Sequence, residues 1–110
     1  MSSQLGLFPL TRYERMREDF HAFHQQHPEV YRLFARFVAE LLERGFTNYS
    51  ADAVIHRVRW HTQVEARDGE GFKINDHFVA FYARLWMREH PEHEGFFRIR
   101  EQTSRRRDDE

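Results

Sequence analysis

The 110-residue chain contains no cysteine. Disulfides, thiolate zinc sites, iron–sulfur clusters and cysteine nucleophiles are therefore excluded. Lysine is almost missing as well: of 17 cationic residues, only Lys73 is not an arginine. Arginine suits bidentate contacts to phosphate or carboxylate and stacking on rings, although a GC-rich genome gives the same bias. No large excess of either sign exists, since 17 Lys and Arg stand against 18 Asp and Glu for a formal net charge of -1. The surface as a whole exerts no general pull on nucleic acid, so any such attraction has to be local. Apolar runs fall well short of the roughly 20 residues needed to span a bilayer, and the opening MSSQLGLFPL lacks a charged start followed by a long apolar stretch. A soluble, cytoplasmic protein with no membrane partner is expected.

The chain is organised around Gly71 to Met87, GFKINDHFVAFYARLWM. Phe72, Lys73 and Ile74 alternate apolar and polar, then Asn75 and Asp76 offer side-chain oxygens to cap a helix starting near His77. In that helix Phe78, Phe81, Tyr82, Leu85 and Trp86 recur at spacings of three and four, with Val79 and Met87 widening the arc. Large aromatics at helical spacing read as core, and this helix is expected to be the spine of the molecule, enclosed by its neighbours on most sides.

Residues 1–10 read as an irregular arm, because Gly6 and Pro9 discourage a regular element, and its leucines and Phe8 are expected to dock on the domain. Thr11 and Glu14 have capping-box spacing for a first helix from Arg12 to about His27, ended by Pro28. Pro28 can open a second helix, striped by Val30, Phe34, Phe37 and Leu41 and closed by Gly45. Ser50 can cap a third, running through Val54, Ile55 and Val58 to about Trp60. Beyond Trp60 two readings stay open. The helix can continue to Ala66, or residues 61–75 can form a short hairpin whose returning strand is Phe72 to Asn75. After the spine helix Pro91 and Gly95 make a turn, and Phe96, Phe97 and Ile99 bring the chain back to the core. Residues 102–110, QTSRRRDDE, have nothing apolar to anchor them and are expected to be a disordered charged tail. The expected fold is mainly α: a single-domain compact bundle of four to five helices over 11–101, with a winged helix as the alternative if 61–75 is a hairpin.

Ala35–Arg44, the turn Gly45–Tyr49 and Ser50–Trp60 have helix-turn-helix proportions, with Ala39, Val54 and Val58 expected to hold the pair together. In such a unit the second helix enters the major groove. Its candidate nucleic-acid contacts are Ser50, His56, Arg57 and Arg59, joined by Arg67 and Lys73 from the following link, while Asp52 works against phosphate. So few cations on a neutral domain imply weak binding at physiological salt. The same arrangement is routine in helical bundles with no nucleic-acid role.

Histidines fall at HxxHxxH spacing (His21, His24, His27) and again as His90 and His93. Positions three apart rotate by about 300 degrees on a helix, so His27 drifts off the face shared by the first two. No HExxH is present, and no metal or other cofactor is expected. Tyr82, Arg84, Arg88, Asn75 and Asp76 make a polar set around the spine helix, in which an arginine could hold the Asn75–Asp76 turn. Glycine-rich phosphate loops and GxSxG are absent, and the reading is of a non-enzymatic protein.

Arg59-Trp60, Phe72-Lys-Ile-Asn-Asp76, Tyr82-Ala-Arg84 and Phe96-Phe-Arg-Ile-Arg100 together give residues 19–101 a pattern that resembles a group of small bacteriophage and prophage proteins with no assigned activity. The resemblance implies an accessory role, DNA-associated or directed at a host protein, and carries no functional residues with it.

Overall fold

The computed structural model describes residues 9–65 and 72–99. Helix α1 spans Arg12–Gln26. Its start is fixed reciprocally: Glu14 N donates to Thr11 Oγ1 at 3.1 Å, and Thr11 N donates to Glu14 Oε1 at 3.0 Å. Two donors that helix geometry would leave unpaired are thereby satisfied. The α-conformation stops at His27, before Pro28, and Pro28 opens helix α2 (Pro28–Glu43), where a missing amide costs nothing. Val30, Phe34, Phe37 and Val38 face inward from α2. Gly45 sits at φ 89° just beyond Arg44, a conformation a Cβ disfavours, so the chain can leave the helix there. Helix α3 (Ala51–Trp60) is capped by Ser50, whose Oγ accepts from Ala53 N at 3.2 Å, and it buries Val54, Ile55 and Val58.

The open question beyond Trp60 resolves toward the helix. His61–Glu65 continue α3 as a single wide π-turn, Phe72–Asn75 pair with no strand, and no strand occurs among the described residues, so the hairpin and the winged helix are not formed. Gln63, a good helix former, outweighs the β-branched Thr62 and Val64 here. Ala66 and Arg67 lie outside the described residues.

Helix α4 (Phe78–Glu89) is the expected spine and buries Phe78, Val79, Phe81, Tyr82, Ala83 and Trp86. Its start differs from expectation in detail. His77 occupies the cap position without a side-chain bond, while Asn75 Oδ1 accepts from His77 N at 2.8 Å and the Asn75 and Asp76 carbonyls accept from Phe78 and Val79 N–H. Asn75 thus closes an Asx turn that leads into the helix. Around α4 the rings interlock. Phe20 stacks on Phe81 at 5.2 Å and meets Tyr82 edge-on at 4.8 Å, and Trp86 meets Phe96 and Phe97 at 5.5 and 5.7 Å. Each such side chain, removed from water, contributes about 1.5–3 kcal/mol.

A 3₁₀ turn (Pro91–His93) and Gly95, at φ 85°, reverse the chain so that Phe96–Ile99 return as an extended clasp. Tyr49 N donates to Phe96 O at 3.1 Å, and Tyr49 and Phe97 form an isolated parallel bridge. The clasp is therefore tied to the turn between α2 and α3. Ala39, expected at the α2–α3 contact, is exposed; Phe37, whose ring lies under the Arg57 guanidinium, meets α3 instead. The N-terminal arm is described only from Pro9, where Leu10 is exposed, and the charged tail lies outside the described residues.

Candidate interaction surfaces

The helix-turn-helix-like pair is present as α2, the Gly45 turn and α3, and its cations are placed as follows. Arg57 Nη1 donates to Glu40 Oε1 at 2.9 Å, and its guanidinium lies 4.0 Å from the Phe37 ring centre. Arg57 therefore staples α3 to α2, with its charge balanced by Glu40. Arg59 points the other way: Nη2 donates to Ile74 O at 2.8 Å and to Asp76 Oδ1 at 2.7 Å. Arg59, from α3, thus holds the turn leading into α4. Ser50 is occupied as the cap, His56 and Lys73 are exposed, and Arg67 lies outside the described residues. Arg57 and Arg59 thus diverge into intramolecular contacts. Their partners Glu40 and Asp76 are each 17 positions away in sequence, a separation no local motif reveals.

Apolar surface appears at the end of α3 and in the turn that precedes it. Trp60 is 59% exposed and Val64, one turn further, 43%. The cause is the phase of the helix at its end: Val58 faces the core and His61 turns its ring edge-on to Phe37 at 6.4 Å, which rotates Trp60 outward. The widened turn His61–Glu65, in which Thr62 Oγ1 donates to Arg59 O at 3.3 Å, keeps Val64 near the same face. A second exposed pair, Phe46 and Tyr49, meets edge-on at 5.4 Å in the turn of the helix pair.

Histidines of both spaced groups pack on aromatic rings. His24 stacks on Phe20 at 5.7 Å, His27 on Phe72 at 4.0 Å, and His90 on Trp86 at 4.2 Å with Nδ1 bonded to Trp86 O at 2.8 Å. No cluster of three His, Asp or Glu able to hold a metal exists among the described residues. Beside His24, burial followed by the nearby charge of Glu29 pushes the Tyr82 hydroxyl above its ordinary range. Burial raises Tyr31 too, aided by the hydrogen bond it donates to Glu89 Oε1 at 2.7 Å. Tyr82 Oη, by contrast, is buried and has no hydrogen-bond partner among the described residues. Because a buried unpaired hydroxyl costs about 1–3 kcal/mol, Tyr82→Phe is expected to leave stability unchanged or raise it by about 1 kcal/mol, read from urea unfolding midpoints. A clear loss would mean that the hydroxyl is satisfied in solution.

No family model, curated protein or solved structure matches this chain. The fold itself defines the class: a mainly α, compact helical bundle that contains a helix-turn-helix-like pair. No helix among the described residues is long and apolar enough to cross a membrane.

Proposed function

We propose that this protein is a non-enzymatic, cytoplasmic binding module that docks onto another protein through the face of α3 bearing Trp60 and Val64. The exposure of Trp60 carries this reading. A tryptophan left in water at the end of a rigid helix is the kind of side chain that dominates protein interfaces, since it buries a large area at small conformational cost. The resemblance to phage and prophage proteins supports a host protein as the partner. Nucleic-acid binding through α3 is the second reading, supported by the helix-turn-helix-like pair and by the exposure of His56 and Lys73. It ranks lower because Arg57 and Arg59 are already paired within the chain.

The test compares wild type with Trp60→Ala in affinity capture from host lysate. Wild type is expected to retain a specific protein that the variant loses, and titration with that protein should shift the Trp60 emission to shorter wavelength while Trp86, only 2% exposed, stays constant. Equal capture by both would remove the Trp60 face from consideration. Retardation of a duplex, falling steeply with salt and weakened by Lys73→Ala, would put the nucleic-acid reading first.

A further inference from the structure

The polar set around the spine helix contains a feature that the docking face does not use. Tyr13, Arg17 and His21 lie on successive turns of α1, and Phe81, Arg84 and Arg88 on successive turns of α4; the two rows line a cleft of about 460 Å³. We propose that this cleft binds a phosphomonoester carried on a small apolar group.

Arg17 and Arg88 carry the anionic part. Both are exposed, and neither belongs to an ion pair among the described residues, in contrast to Arg57 and Arg59. They belong to different helices, so a ligand held by both must offer acceptors in two directions. A carboxylate has two oxygens and is filled by one guanidinium fork, whereas a phosphomonoester has three terminal oxygens and can take a fork from each side. Its charge, about -1.5 to -2 at neutral pH, also exceeds what Glu18, the one acid in the lining, subtracts from the pair. The rings Phe20 and Phe81, stacked at 5.2 Å, supply carbon at the bottom of the cleft. Arg84 lies with its guanidinium 5.3 Å from the Phe81 ring centre and forms part of the wall. Such a site favours a ligand with an apolar body behind the phosphate over inorganic phosphate.

Phenyl phosphate is the probe, followed by amide chemical shifts of the whole chain. Saturable changes are expected at residues 13–21 and 81–88, with phenyl phosphate binding more tightly than inorganic phosphate or benzoate. Arg17→Ala and Arg88→Ala should each weaken binding about tenfold, the loss of one charge-assisted hydrogen bond. Glu18→Gln should strengthen it by removing a repulsion, and Arg36→Ala on α2 should change nothing. The substituted positions are all exposed, and the unliganded spectra report directly on the fold. Shifts scattered over all arginines, equal response to inorganic phosphate, or indifference to Glu18→Gln would each overturn the proposal in favour of diffuse counterion association.

Discussion

Trp86→Ala is expected to cost about 3–5 kcal/mol, the range for removing a large aromatic from a packed interior. In a chain of this length that lowers the melting temperature by more than roughly 10 °C. The side chain is the junction of several layers: the rings of His90 and His93 stack on it at 4.2 and 5.7 Å, and Phe96 and Phe97 close over it. Its loss removes the surface against which the clasp is held as well as leaving a cavity. The same substitution at Trp60 is expected to change stability by less than about 0.5 kcal/mol, as for a surface position. Thermal unfolding followed by circular dichroism separates the two tryptophans. Comparable losses at both positions would mean that Trp60 is packed in solution, and the proposed docking face would fall with that result.

The second large effect concerns Arg59. Arg59→Met keeps the aliphatic stem and removes the guanidinium, leaving the Ile74 carbonyl without its donor. Ile74 is a buried residue, and a hydrogen bond from a charged donor contributes about 1.5–3 kcal/mol, so a loss of that order is expected. The bond to Asp76 adds little, because the Asp76 side chain is 89% exposed and ion pairs in water are worth about 0–1 kcal/mol. Asp76→Asn is accordingly expected to be nearly silent. Hydrogen exchange at His77 and Phe78 should quicken in Arg59→Met, because the turn that starts α4 loses its anchor. A variant that kept full stability and lost affinity for DNA would instead show Arg59 working outward.

Much of the fold was readable from local rules. Thr11 with Glu14, Pro28, Gly45 and Ser50 each set a helix boundary through backbone chemistry acting within a few residues, and the three-and-four spacing from Phe78 to Trp86 marked the buried helix. What could not be read depends on where helices lie relative to one another. Arg57 and Arg59 are close in sequence, yet two residues apart on a helix is about 200°, so they face different neighbours, α2 on one side and the Ile74–Asp76 turn on the other. Trp60, by contrast, stands about 200° round α3 from Val58, so its outward direction follows from helical phase alone. The paired rows of α1 and α4 were each visible as spacing; that they face each other follows only from the packing of the two helices.

The parallel bridge between Tyr49 and Phe97 bears on how the molecule can be divided. A peptide carrying just α2, the Gly45 turn and α3 would keep its caps but lose the strap across the loop joining them, along with the packing of α4 against both helices. The helix pair shares its packing with α4 and the clasp, so an excised pair is expected to show less helix than it has in the whole chain, read by circular dichroism.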